Sequence, residues 1–205
     1  MDKNNLWRLS ASEIVKATTA GEIRTVDVIT SAVDRMKEVN TSLNAVVVDL
    51  SEKAIEKADL LDRDRDNGKH CGPLHGVPIT IKINVDQKGY ATSNGVSALK
   101  DWIAPDDAPI VKNLQKAGAI IIGRTNTPEF SFRADTDNGL HGRTNNPWGS
   151  HVSAGGSSGG AGAAVMSGIG AMGHGNDIGG SLRFPAAANG AFTVKPGLGL
   201  SLIHI

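Results

Sequence analysis

The sequence predicts an α/β fold: a mixed, mainly parallel sheet flanked by helices and cut short at the C-terminus. Three observations predict it. Short β-branched apolar runs at 43–50, 79–83 and 120–122 are separated by longer segments with apolar residues at helical spacing. Helix-start and helix-stop residues bracket those longer segments. Glycine is concentrated late, with 15 of the 25 glycines between Gly149 and Gly199. Glycine inside a regular element costs about 0.5–1 kcal/mol relative to alanine, so such a density implies tight turns or close backbone approach.

Taken in order, Ser10 followed by Glu13 reads as a capping box, and Gly21 ends the helix it starts. Thr25 caps a second helix whose Val28, Ile29, Ala32, Val33 and Met36 share one face. LNAVVVDL at 43–50 is a strand, and Ser51 caps a charged helix with Ala54, Ala58, Leu60 and Leu61 that ends near Gly68. Pro73, Gly76 and Pro78 punctuate a turn, after which 79–83 forms a buried strand bearing Lys82. A helix over 108–116 stops at Gly118 and leads into a strand at 120–122, and the polar stretch 125–148 reads as loop. A Gly/Ala-rich helix over 158–167 follows, then a short strand near 171–175, a helix from about Ser181 and a strand over 192–195. The expected organisation is one partial domain over 1–199, with a helical layer at 1–70 and an α/β core at 71–199.

Composition narrows the function classes. Lys+Arg and Asp+Glu both number 21, which removes the electrostatic case for nucleic acid or an anionic membrane as a partner. No apolar run approaches the roughly 20 residues that span a bilayer, and MDKNNLWRLS has no signal-peptide stretch. Cys71 is the single cysteine, so no intrachain disulfide forms. The expectation is a cytoplasmic protein acting on a small molecule. The six residues LSLIHI at 200–205 carry no cap or closing element. They are also what CTG TCT CTT ATA CAC ATC encodes, a string resembling a transposon end used as a sequencing adaptor, so a non-native tail is expected there.

Three motifs in the glycine-rich region compete. Gly168-x-Gly170-x-x-Gly173 matches a dinucleotide pattern, yet it follows a helix and leads into a strand, the reverse of what that pattern needs. Gly155-x-Ser157-x-Gly159 satisfies the G-x-S-x-G elbow, a short pattern easily met by chance, with only His174 and His204 downstream as partners. The loop over 155–160 lacks the Gly-Lys-Ser/Thr ending of a phosphate-binding loop. A fourth reading joins GGSSGG at 155–160 with DIGGSLRFPA at 177–186 and with GPLHGVPITIKINVD at 72–86.

Together those three segments resemble the amidase signature family of serine hydrolases, and the likeness extends to NPW at 146–148 and VKPG at 194–197. The likeness is closer to the stand-alone amidases than to the amidotransferase subunit. The resemblance implies Ser181 as nucleophile, Ser157 after a cis peptide bond as proton relay, and Lys82 as base. It implies an oxyanion hole from the backbone N–H groups of Ile178, Gly179, Gly180 and Ser181. Ser158 would cap the next helix and support the relay, Asp177 and Arg183 would brace the loop, and Glu129, Phe130 and Ser131 lie where the acyl-binding wall runs. Asn176 stands where the family commonly has a small hydroxyl residue, and Asn84 where it often has an acidic one. His141 and His174 read as ordinary loop or core histidines.

These roles agree with elementary chemistry. A serine hydroxyl needs an adjacent base, and lysine serves only when burial disfavours its ammonium form; Ile79, Ile81 and Ile83 provide that surrounding. Each fixed oxyanion donor contributes roughly 2.7–4 kcal/mol. The implied activity is hydrolysis of a carboxylic amide through an acyl-enzyme with no metal and no organic cofactor, and a homodimer in the full-length protein. One alternative is the glutaminase subunit of a tRNA-dependent amidotransferase. Another is a non-catalytic binding homologue or an inactive truncated chain, since the 205 residues alone are expected to leave the site open to water.

Overall fold

The computed structural model describes residues 3–197. The first helix, α1 (Ala11–Thr19), carries the expected capping box: Ser10 Oγ accepts the Glu13 N–H at 3.3 Å, and the Glu13 carboxylate accepts the Ser10 N–H at 2.8 Å. In α2 (Thr25–Leu43) the face formed by Val28, Ile29, Ala32, Val33 and Met36 is buried, as its spacing predicts.

The start of α2 differs from expectation. Thr25 is its first helical residue, and the cap comes from Asp62 in α3 (Ser51–Asp66). The buried Asp62 carboxylate accepts the N–H groups of Thr25 at 2.8 Å and Val26 at 3.1 Å. Arg65 at 3.2 Å and Arg24 at 3.5 Å complete its surroundings. A carboxylate placed there satisfies two orphan helix donors and opposes the positive end of the helix dipole. Ser51 likewise opens α3 instead of capping it, because its hydroxyl bonds the Asp49 carboxylate. Ala54 and Ala58 of α3 face the core, while Leu60 lies exposed. A 3₁₀ turn at Lys3–Arg8, unforeseen in the sequence, puts the Trp7 ring against the Arg8 and Arg35 guanidiniums at 4.3 and 4.5 Å.

The sheet has four strands, β1 (Val46–Asp49), β2 (Pro78–Lys82), β3 (Ile120–Thr125) and β4 (Met172–Gly173), in the order β1-β3-β2-β4. β1 runs antiparallel to β3, and the β2–β3 and β2–β4 pairs are parallel. The mixed, mainly parallel sheet is thus as predicted, and the early helical layer supplies its antiparallel edge. Every residue of β2 and β3 is buried, the pattern of parallel strands covered on both faces. One face packs Ile120 and Ile122 against Ile29, Val33, Met36, Ala163, Ala164 and Ile169. The other packs Ile79, Ile81 and Ile121 against Ile14, Val28 and Val111, the last from α4 (Pro109–Lys116).

Two helices follow the polar loop: α5 (Gly159–Met166) and α6 (Arg183–Asn189). The first six residues of α5 carry nothing larger than a methyl group. At Gly160 a Cβ would stand 2.5 Å from the Asn126 nitrogen and 2.7 Å from the Ala45 oxygen, so the helix backbone lies directly on the strand ends. The predicted strand at 192–195 does not form; Phe192 and Val194 are exposed. A β-prone run needs a neighbour to pair with, and among the described residues it has none. Residues 200–205, the suspected non-native tail, lie outside the described residues.

Replacing Asp62 by alanine should cost about 3 kcal/mol, because it leaves two helix N–H groups and the Arg65 guanidinium without their buried acceptor. A shift of the urea midpoint corresponding to less than about 1 kcal/mol would show that solvent substitutes for the cap.

Candidate active site

The carboxyl ends of the parallel strands converge on one point, which is where open α/β sheets place their sites. Lys82 is the last residue of β2 and is fully buried, so the opening to water expected of the 205-residue chain is not seen at this residue. β3 leads into Thr127, and β4 into His174, Asn176 and Asp177. From the other side comes the 155–160 loop, whose Gly156–Ser157 peptide bond is cis. Its backbone threads tightly, since a Cβ on Gly156 would stand 2.3 Å from the Arg133 carbonyl oxygen.

The Lys82 Nζ meets three oxygens: Ser157 Oγ at 2.7 Å, Asn176 Oδ1 at 2.8 Å and Ser158 Oγ at 3.1 Å. Burial pushes the Lys82 amine down to about 7, opposed by the charge of Asp177. His174 is held down at about 4, first by burial and then by Lys82. Ser158 does not cap α5 with its side chain. Its hydroxyl instead accepts from Lys82 and donates to the Asn176 carbonyl at 3.3 Å. The structure thus places the Ser158 hydroxyl on Lys82 and not on the start of α5, where the sequence led one to expect it as a cap.

The loop carrying Ser181 is bound to this cluster through backbone. The Ser158 N–H donates to the Ser181 carbonyl at 3.0 Å. Among the described residues the Ser181 hydroxyl takes no hydrogen bond, so the structure joins Lys82 to Ser157 directly and brings Ser181 alongside by its main chain. Asp177 gathers the backbone of its own loop. Its carboxylate accepts the N–H groups of Gly180 at 2.7 Å, Leu182 at 3.2 Å and Arg183 at 3.2 Å, and pairs with the Arg183 guanidinium at 3.0 and 3.1 Å. Arg183, followed by burial working in opposition and by the three N–H donors, holds the Asp177 carboxyl below the usual carboxylate range. Asp177 engages the Gly180 N–H, so of the four N–H groups expected as oxyanion donors those of Ile178, Gly179 and Ser181 are unengaged among the described residues.

The expected acyl wall divides. Glu129 and Phe130 are exposed. Ser131 turns inward, its Oγ donating to Asn94 Oδ1 at 2.9 Å, meeting the Thr127 hydroxyl at 3.0 Å and accepting from Asn84 Nδ2 at 3.1 Å. Phe130 and Ser131 take left-handed φ values of 53° and 62°, uncommon for residues with side chains. Thr127 Oγ1 donates to the Ser157 carbonyl at 2.9 Å. Thr127, Asn94 and Arg124 were not anticipated as part of the site. Arg124 is buried and donates to the carbonyls of Ala91, Val85 and Ile83, bracing the chain just after Lys82. Its signal in the sequence was a single charge inside an apolar strand.

Comparison with known proteins places the chain in a family. The profile of the Amidase family matches residues 27–201. The chain is 58% identical over 194 residues to an indoleacetamide hydrolase of Bradyrhizobium diazoefficiens, covering 95% of this chain and 37% of that protein. It is 40% identical over 200 residues to an acylamidase of Rhodococcus erythropolis, covering 98% of this chain and 42% of that one. A solved structure of a bacterial aryl acylamidase of the amidase signature enzymes superposes with a TM-score of 0.82 at 37% identity, over 87% of this chain and 37% of the other. The chain thus spans about two fifths of the length of the relatives it matches, and within that span it belongs to the amidase signature family.

Proposed function

We propose that the protein hydrolyses a carboxylic amide to the acid and ammonia or an amine, with Ser181 as nucleophile, Ser157 as relay and Lys82 as base. The observation that carries this reading is a buried amine, driven toward its neutral form, 2.7 Å from the Ser157 hydroxyl. Ser181 Oγ attacks the amide carbonyl carbon, its proton passes to Ser157 Oγ, and the Ser157 proton passes to Lys82 Nζ. The negative oxygen that forms is met by the N–H groups of Ile178, Gly179 and Ser181, with Gly180 joining if it releases Asp177. The relay then returns a proton to the leaving nitrogen as the C–N bond breaks. Water attacks the resulting ester by the same route and frees Ser181. The reading uses no metal or organic cofactor.

The likeness to an indoleacetamide hydrolase makes a primary arylacetamide the first substrate to try, and it supports the amidase reading over the glutaminase-subunit alternative. In the full-length protein a fluorophosphonate should label Ser181, and Ser181→Ala should abolish labelling. Label on Ser157 that survives Ser181→Ala would instead support the G-x-S-x-G elbow.

The same reading fixes the sign of the pH dependence. The neutral amine is the active form, so below about pH 7 the hydrolysis rate should rise about tenfold per pH unit and level off above it. Lys82→Met should lower kcat/KM by about 10²–10⁴-fold at pH 8. A rate unchanged between pH 5.5 and 8.5 would remove Lys82 from the role of base.

A further inference from the structure

Resting on the reading above, we propose that Asn176, held by Asn84, is a positioning residue that aims the lone pair of Lys82 at Ser157. A neutral primary amine has two N–H bonds and one lone pair, and Lys82 has three oxygen neighbours. Only one of those oxygens can offer a hydrogen back. Asn176 Oδ1 is a carbonyl oxygen and carries none. The Ser158 hydroxyl directs its single hydrogen to the Asn176 main-chain carbonyl at 3.3 Å. Both N–H bonds of the amine are therefore taken by Asn176 Oδ1 and Ser158 Oγ, and the lone pair is left facing the Ser157 hydroxyl.

The arrangement works only if the Asn176 carboxamide cannot turn over. A flipped amide would present an NH₂ group to Lys82 and push its lone pair away from Ser157. Asn84 prevents this by pairing with it amide to amide. Asn176 Nδ2 donates to Asn84 Oδ1 at 3.1 Å, and Asn84 Nδ2 approaches Asn176 Oδ1 at 3.4 Å. Asn84 is itself oriented by its 3.1 Å bond to Ser131 Oγ, which donates onward to Asn94. A chain of amides and one hydroxyl thus carries a fixed orientation from the 94–131 loops to the base. The charged and titratable groups facing Lys82 are Asp177, which favours the ammonium form, and His174, which is kept neutral beside it.

The test compares the unsubstituted protein with Asn176→Asp, Asn176→Leu and Asn84→Leu by two measurements. One is the titration of Lys82 followed by its ¹³Cε resonance, assigned with Lys82→Met. The other is the pH profile of Ser181 labelling by a fluorophosphonate. Asn176→Asp keeps the acceptor and adds a charge, so the titration and the labelling limb should move up together by at least one pH unit. Asn176→Leu removes the acceptor, so Lys82 should titrate lower while the plateau rate falls at least tenfold. More of the amine would be neutral, yet less of it aimed. Asn84→Leu should lower the plateau in the same direction and leave the titration within about half a unit. A plateau within twofold of the unsubstituted protein in both leucine variants would overturn the proposal. Absence of labelling at Ser181 in the unsubstituted protein would instead sink the hydrolase reading. The Lys82 titration would then decide alone, with no shift in either Asn176 variant counting against Asn176.

Discussion

A primary amine shut off from water and held between three oxygens sets the conditions for everything around it. Moving the Lys82 amine from its ordinary 10.5 to about 7 corresponds to roughly 5 kcal/mol of destabilisation at neutral pH and below. That is comparable to the whole net stability of many domains, and the sheet and its two apolar faces must offset it. Lys82 sits at the end of a strand buried on every residue, between Ile81 and Ile83, so the surroundings that drive it toward its neutral form also make it costly to keep. Substituting it with an apolar residue of similar length should relieve that cost most below pH 7, where the folded amine carries its charge.

The remaining charges are arranged so that burial outweighs them at Lys82. The nearest carboxylate, Asp177, is turned away toward Arg183 and three backbone N–H groups, and His174 stays neutral. What touches Lys82 is neutral and oriented: two hydroxyls and one amide. Arg124 serves the same end at a distance, since its donors go to the carbonyls that follow Lys82 and hold the backbone that aims it.

How much of this was legible in the sequence depended on how local the cause was. The capping box at Ser10, the buried face of α2 and the apolar strands around Lys82 rest on neighbours a few residues apart, and all of them formed as read. The start of α2 did not, because its cap, Asp62, lies 37 residues away from Thr25. Ser158 was drawn from capping to Lys82 by a contact spanning 76 positions. The run at 192–195 has strand propensity without a strand to pair with, and propensity alone does not make a ladder. Of the residues that build the site, Lys82, Ser157 and Ser181 were visible through motif likeness. Asn176 and Asn84 were visible only as departures from it, and nothing in the linear pattern shows that two separate departures pair with each other.

The bare face of α5 limits what substitution can do to this molecule. On α3 most outward positions are charged and solvated, and a change there meets only water. On α5 a single methyl at Gly160 would collide with the main chain at Asn126 and Ala45, and one at Gly159 with the side chain of Thr136. Main chain cannot rotate aside as a rotamer can. Drift along this helix is therefore confined to Gly162, Val165 and Met166, which are partly exposed, and even Gly162 has Asn189 close by. The stretch carrying the least side-chain chemistry is the one with the least freedom to vary. A designer wishing to alter the candidate site would leave this helix untouched and work from the loops that face it.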